Sequence, residues 1–448
     1  MPVNAIHQIP QVVISNTLET NATFLNRASD VAERDRLFRL FRVAGERTLL
    51  WGRDRKLVFT DLPVDSAHLE YVRSTLGYTE TESIAPTEPS ASLCRDIVRE
   101  PALFQRLVDY AGEACSVEIL PFATTPPLLE LVAVLQQHGI TVHLPESPAP
   151  AALWLKDYAQ TKAGFRSLVS QWLGAAVLPS GGTVGNVAAA AAIAHSLCQR
   201  QQACIIKPNL GCLGIGHVVL HPQEVSSPAA ILDTLHHNPF FLDDLLVVEE
   251  WIPSRQHISP AVELFVPPLG TGEPQLTHLC NQLLQDGTHY IGELVSREWL
   301  LTDWGKALAE YGLEIARRMQ GLGYCGRFDL DAIVGDSGRV ALLEMNTRRT
   351  GGTHVHEVAT FLRGNRYLED VVLLSQTSAS SGYISEANEL LAVLADLLYP
   401  APASTPAQPS GVVLTHTGAL PMHRFGYLIL APTTAAALEL QHTVQTRL

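Results

Sequence analysis

Residues 326 to 346 read as two apolar strands, GRFDLDAIVG and RVALLEMN, joined by the turn Gly335-Asp336-Ser337-Gly338. Side chains alternate between the faces of a strand, so Asp329 and Asp331 fall on one side of the first strand, and Glu344 and Asn346 on one side of the second. A hairpin of this kind aims three or four oxygen ligands at one place while its other face is strongly apolar and needs a cover. Hard divalent cations such as Mg2+ take oxygen ligands, and one or two of them can bridge phosphates that carboxylates anchor. The bland alternative is a set of solvated acids flanking a turn. The apolar character of both strands and the presence of Asn346 favour the metal.

A single hairpin cannot organise 448 residues. That length exceeds what one hydrophobic core serves, so two or three packed domains are expected. The first third alternates short β-rich or apolar runs (RTLLWG, KLVFTDLP, CSVEILPFATT, TVHLP) with helical stretches such as AHLEYVRSTLGY and LLELVAVLQQHGI, a rhythm that predicts a small parallel α/β domain. From Lys156 the order changes: the helix TKAGFRSLVSQWLG, the link VLPSGGTVGN, an Ala-rich helix, the strand ACIIKP, the turn NLGCLGIG, and strands HVVLH, LLVVEEWI and AVELFVPP. Tyr399 to Ser410 is linker-like by its Pro and Ser content, and SQTSASSG near residue 378 is a weaker case. Strand-like GVVLTH and GYLILAP and a last helix follow. The expected division is 1–155, 156–250, 251–385 and a C-terminal extension, 386–448.

Arg348 and Arg349 follow the hairpin acids in EMNTRRTGG, and Gly351 and Gly352 let the backbone turn and approach a ligand. The planar guanidinium suits a carboxylate or a transferring phosphoryl group, against the alternative of a surface salt-bridge face. Lys207 ends the strand CIIKP beside the glycine loop holding Gly211 and Gly214, a natural phosphate clamp. The loop joins two strands and lacks G-K-[ST], so it matches neither a P-loop nor a dinucleotide turn; it suits a lid. Glu249 and Glu250 in LVVEEWI, and His257 after them, are individually no more than edge-strand acids and a loop histidine.

The order of these pieces is informative. A lysine before a helix that leads to VLPSG, then IIKP with its glycine loop, VEEWI, DLDAIV and EMNTR, resembles the ATP-grasp superfamily over about residues 156 to 365. EMNTR is similar to the corresponding run of biotin-carboxylase-type members. RTGGTH, with the α/β segment before it, resembles the pheganomycin-type peptide ligases, which carry a pre-ATP-grasp domain. The resemblance implies a fold of α/β and α+β parts, an N-terminal pre-ATP-grasp domain followed by two lobes that close over ATP. It implies phosphate contacts from Lys162 and Lys207, an adenine hinge of Glu249, Glu250 and Ile252, and His257 near the ribose. Mg2+ would be held by Asp331, Glu344 and Asn346, with Asp329 the second choice to Asp331 and Lys156 the second choice to Lys162. Arg348 would meet the reacting acyl-phosphate and Arg349 a substrate carboxylate. Glu250 stands where many members have a lysine, and the biotin-carboxylase continuation of the last motif is absent, which speaks against bicarbonate and biotin. A homodimer is implied at the level of the family only.

The activity so implied is ATP-dependent joining of a carboxylic acid to an amine, an amino acid or a peptide, with release of ADP. A different acceptor, or an ATP-binding protein without chemistry, are the other readings. Forty-five acidic against 31 basic residues give a formal charge of -14 without long runs of one sign, which disfavours a nucleic-acid partner. Seven scattered cysteines without a C-x-x-C pair suggest neither zinc nor disulfides. No apolar run is long enough to span a membrane, and the N-terminus lacks a signal pattern, so a cytoplasmic location is expected.

Overall fold

The computed structural model describes residues 9–224, 227–241, 245–400 and 410–448. Three sheets organise them. Strands β1 (Gln11–Ile14), β2 (Lys56–Phe59), β3 (Glu82–Ile84), β4 (Ser116–Pro121) and β5 (Thr141–His143) form a parallel sheet in the order β3-β2-β1-β4-β5. Helices cross between these strands, as parallel pairing requires. One, Pro126–Gln137, starts on the side chain of Thr125, which accepts from Leu128 N. Of the runs read as strand-like, RTLLWG is instead a 3-10 turn, Ala44–Leu50, followed by buried Trp51. Apolar side chains at 49, 50 and 51 all point into core, which a strand with two distinct faces would not allow.

A small antiparallel sheet follows, β6 (Gly181–Val184), β7 (Cys204–Pro208), β8 (Val218–Leu220) and β9 (Leu246–Glu250), in the order β6-β9-β7-β8. The helix Val187–Gln199, with Asn186 capping Ala189 N, packs its alanines on this sheet.

The third sheet has eight antiparallel strands: β10 (Pro260–Val266), β11 (Gln275–Gln285), β12 (His289–Val295), β13 (Gly326–Val334), β14 (Val340–Asn346), β15 (Val372–Ser380), β16 (Gly411–His416) and β17 (Arg424–Ala431), ordered β14-β13-β10-β11-β12-β15-β17-β16. SQTSASSG is thus largely strand, since β15 runs through Ser380 between β12 and β17. The segment expected as a C-terminal extension supplies the last two strands of this sheet. Most of the Pro/Ser-rich linker, residues 401–409, lies outside the described residues.

Alternation sorts the large sheet into two faces. On one, Val262, Leu264, Phe328, Leu330, Leu342 and Met345 pack under the helix Asp303–Gly321 through Leu308, Ile315 and Met319. On the other, Ala261, Cys280, Val295, Leu373 and Leu428 share a core with Val13, Leu50, Trp51, Val58 and Phe122 of the N-terminal unit. The polar residues that alternate with the first set therefore lie between the large sheet and the N-terminal unit.

Two arginines join these parts. Arg349 forks onto Glu146 through Nε and Nη2, both at 2.8 Å, and its Nη1 lies 2.8 Å from Glu357. Arg327 reaches Glu146, Glu263 and Glu357 at 3.1, 2.9 and 3.3 Å. Arg349 also stacks over Trp51, 4.5 Å from the ring centroid. Removing one member of such a buried set leaves uncompensated charge, at a cost of about 3–5 kcal/mol. Arg349→Ala is accordingly expected to lower the urea midpoint by the equivalent of that loss. Arg349→Lys, which cannot fork, recovers little; a midpoint near that of the parent for either variant would contradict the network's structural role.

Candidate functional site

The hairpin pairs as its alternation demands. Asp331 lies opposite Glu344 and Asp329 opposite Asn346. A register shift after Asp331 leaves Leu343 as the extra residue, so Leu343 and Glu344 both line the cavity beside this face while Leu342 stays in the opposite core. The Asp331 carboxylate accepts from Gln282 Nε2 at 2.6 Å and Asn346 Nδ2 at 3.1 Å. Asn346 Oδ1 in turn accepts from Arg348 Nη2 at 3.0 Å. Burial and the Glu344 charge push Asp331 up to about 7, and burial, with Asp331 beside it, raises Asp329 well above the carboxylate range. Burial works the same way on Glu344, but the Lys162 ammonium, 2.7 Å away, outweighs it and holds Glu344 down at about 2. Three crowded carboxylates with two neutral amide donors among them fit a divalent oxygen-seeking cation, which would offset the burial and mutual repulsion that raise Asp329 and Asp331.

Cationic groups face this cluster from the small sheet and its flanking helix. Lys162 starts the helix Lys162–Leu173, and Lys207 is the penultimate residue of β7. Asn209 ties the two together: its carbonyl accepts from Lys162 N and its side chain from Ala163 N, both at 2.9 Å. Lys207 pairs with Glu249 at 2.6 Å, and Arg166 binds the same carboxylate. His217 faces the same space; burial, then the Lys162 and Lys207 charges, lower it to about 3, so the ring is neutral. Lys156 is elsewhere, paired with Asp157 at 2.5 Å.

The glycine loop lies over these groups. Leu210, Cys212 and Ile215 pack beside Leu18, Phe24, Leu25, Leu37 and Phe41 of the N-terminal helices, and a Cβ on Gly211 would touch Phe24 at 3.4 Å. Gly214, at φ +75°, sits so close to the β11–β12 turn that a Cβ would stand 2.6 Å from the Thr288 carbonyl oxygen.

The hairpin acids, Lys207, Glu249, His217 and, from the glycine loop, Cys212 and Gly214 border one cavity of about 1040 Å³. Its hinge end is an apolar slot between the small and large sheets, lined by Pro179, Ile205, Ile252, Ile333 and Leu343, with Glu250 and exposed His257 at the rim. Glu250 is held by Ser180 N at 2.8 Å and Arg339 at 2.9 Å. Beyond Asp331 and Arg348 the cavity continues to Arg47, Tyr290, Glu293 and His416.

Of the residues read from sequence, the structure brings Lys207, Glu249, Glu250, Ile252, His257, Asp329, Asp331, Glu344, Asn346 and Arg348 to this cavity, with Lys162 pairing to Glu344 at its wall. Glu249 serves Lys207 and Arg166 with its carboxylate. Arg349 requires a correction: at 2% exposure, with Glu146 and Glu357 filling its fork, it has no guanidinium edge left for a substrate carboxylate. Sequence reasoning missed Gln282, His217, Arg166 and Arg47. His217 was within reach, as the residue that closes the glycine loop.

The fold has known counterparts. The chain is similar to Campylobacter jejuni biotin carboxylase in complex with β-γ-ATP, with a TM-score of 0.57 at 14% identity, over 98% of this chain and 91% of that one. It is also similar to the biotin carboxylase domain dimer of Hydrogenobacter thermophilus 2-oxoglutarate carboxylase, in complex with MgADP, ADP and bicarbonate (0.55, 14%, 98% and 90%). A third is N5-carboxyaminoimidazole synthase from Aspergillus clavatus with ADP and its aminoimidazole ribonucleotide (0.52, 11%, 97% and 98%). No family model matches the sequence, and no curated protein does. The likeness carries the architecture: an ATP-grasp fold in which a parallel α/β unit precedes the two antiparallel sheets. No described helix is long and apolar enough to cross a membrane.

The loop geometry yields a test. Gly214→Ala places a side chain in a left-handed conformation and against the Thr288 carbonyl, a strain of about 1–3 kcal/mol. Amide exchange across residues 210–217 is expected to speed up in this variant while β13 and β14 keep their protection. Unchanged exchange in the loop would show that the contact does not hold it closed.

Proposed function

We propose that this protein is an ATP-dependent carboxylate–amine ligase that activates a carboxylic acid as an acyl-phosphate and passes it to an amino acid or peptide. One observation carries the reading. In an ATP-grasp architecture, the crowded acids Asp331 and Glu344 with Asn346 stand opposite Lys162, Lys207 and His217, and an apolar slot lies on one side and Arg348 on the other. This is the order a nucleotide needs: base in the slot, phosphates between cations and acids, reacting group at the arginine.

The slot between Ile205, Ile252 and Ile333 takes a flat ring, and Glu250, fixed by Ser180 N and Arg339, borders it. Lys207 and Lys162 turn from their carboxylate partners to the phosphates, a short change because both already face the same space. Asp331, Glu344 and Asn346 would hold Mg2+, which when bound neutralises phosphate charge and aligns the terminal phosphoryl group. Arg348, with no carboxylate partner among the described residues, is available to an acid and to the charge that develops as the acid oxygen attacks the γ-phosphorus and ADP departs. The glycine loop, seated on the N-terminal helices and the β11–β12 turn, excludes water that would hydrolyse an acyl-phosphate. The amine then attacks the acyl carbon and orthophosphate leaves.

Bicarbonate as the acid is the second reading, favoured by the carboxylases and the carboxyaminoimidazole synthase among the structural neighbours. Both readings share the phosphorylation step, and the identity of the acid separates them.

Screening acids with hydroxylamine as the trapping amine is expected to reveal Mg2+-dependent ADP and hydroxamate formation for an organic acid. AMP as the nucleotide product would overturn the acyl-phosphate scheme, and stimulation by bicarbonate alone would favour the second reading. Glu344→Gln is expected to lower turnover at least ~100-fold, on the scale of one lost electrostatic stabiliser, with its circular dichroism unchanged; full turnover would remove Glu344 from the site.

A further inference from the structure

The cavity extends past Arg348 into an arm that nucleotide and acid do not account for, walled by Arg47, Tyr290, Glu293, His416 and Gly352. Two oppositely charged groups in it are incompletely paired: Glu293 has the Tyr290 hydroxyl and a long ion pair with His278, and Arg47 has no carboxylate partner among the described residues. Glu293 is 3% exposed; its Oε2 accepts from the Tyr290 hydroxyl at 3.2 Å, but Oε1 has no hydrogen-bond donor, and the nearest described cation, His278 Nε2, is 3.6 Å away. A buried carboxylate oxygen in that position is costly unless something donates to it. Gly352 keeps the space open, because a Cβ there would fall 2.7 Å from both Glu293 Oε2 and His278 Nε2.

Arg47 comes from the other side, on the 3-10 turn of the N-terminal unit. Its Nε donates to Ala44 O at 3.1 Å, and among the described residues no carboxylate lies within ion-pair distance of its guanidinium. Its imidazole neighbours give no compensation: burial, then the Arg47 charge itself, lowers His354 well below its usual range and His416 to about 3, so both rings are neutral. Glu293 is near enough for its charge to act on Arg47. A guanidinium and a carboxylate that face one space, sense each other and do not touch leave a gap with a positive and a negative end. Such a gap suits a small molecule carrying a carboxylate and an ammonium on one carbon.

The register orients that molecule. Glu293 lies opposite Gln282, and Gln282 donates to Asp331, so the negative end of the gap adjoins the phosphoryl site and the positive end points away from it.

We propose that this arm is the acceptor subsite of the ligase and takes a free α-amino acid, its carboxylate on Arg47 and its amino group on Glu293. The inference rests on the ligase reading for its chemistry but not for its binding. The α-ammonium gives one proton to Glu293, and the freed nitrogen attacks the carbonyl carbon of the acyl-phosphate. The new C–N bond forms as the C–O bond to phosphorus breaks; the second proton leaves with orthophosphate, and the Glu293 proton returns to solvent. The product is an N-acylated amino acid whose carboxylate is still on Arg47. His278, behind Glu293, is a positioning residue.

The test is equilibrium binding to the full chain, by calorimetry in the presence of MgADP, of the proteinogenic L-amino acids. Each that binds is compared with its decarboxylated amine and its N-acetyl derivative. At least one amino acid is expected to bind, with both derivatives weaker by roughly 10-fold to 100-fold, the range for a lost charge-assisted contact. Arg47→Met should weaken the amino acid by a similar factor and leave its decarboxylated amine unaffected. Arg47→Lys should restore part of the loss, and Glu293→Gln should weaken amino acid and amine but not the N-acetyl form. MgADP affinity in all three variants should match the parent, which reports that each is folded. Absence of binding by the whole panel, equal binding of an amino acid and its amine, or an Arg47→Met variant with an unchanged ratio would each overturn the subsite. Hydroxylamine-trapped ADP release without charge discrimination would leave the ligase reading standing and remove this one. Charge-discriminating binding without ADP release from any acid would do the reverse.

Discussion

Antiparallel pairing of β13 with β14 is the constraint on which the site depends. It sets Asp331 against Glu344 and Asp329 against Asn346, and the extra residue at Leu343 turns the strand so that an apolar contact and a metal-ligand candidate emerge side by side. Burying acids side by side in this way is unfavourable by itself: burial first, and then the neighbouring carboxylates, raise Asp329 and Asp331. The surroundings answer it with the Lys162 ammonium on Glu344 and the amides of Gln282 and Asn346 on Asp331. The rigidity comes from the apolar reverse of the same strands, locked under the helix Asp303–Gly321.

The N-terminal unit is more than a preceding domain. Its Trp51, Phe122 and Val58 share a core with the large sheet, its Glu146 receives both Arg327 and Arg349, and its helices support the glycine loop. The cavity is therefore enclosed from three directions by parts of the chain far apart in sequence. Arg47 and Glu293, 246 positions apart by their numbering, face one space only because that unit lies against the polar face of the sheet.

Much of this was legible from residues alone, for a physical reason in each case. Asp329, Asp331, Glu344 and Asn346 stand at alternate positions in apolar strands, a pattern with one geometric solution. Lys207 was readable because it ends a buried strand at a glycine loop. Other features were hidden. In β15 the first four residues are buried and the remainder partly exposed, so its Ser- and Thr-rich end looks like a linker while pairing to β12 and β17 decides its state. The irregularity between Leu283 and Leu284 breaks the alternation that would have marked β11 and β12, the strand that carries Glu293, as a hairpin. Arg349 was misread because adjacency to the hairpin acids says nothing about direction once the strand ends at Asn346; its partner Glu146 is 203 residues away.

The double contact of Asn209 with the start of the Lys162–Leu173 helix sets where motion can begin. Any swing of the glycine loop must pivot beyond that residue, because upstream of it β7 and the helix are fastened to each other. The backbones that carry Lys162 and Lys207 are thereby held in fixed register, and only the short stretch from Leu210 to His217 lies outside that tie.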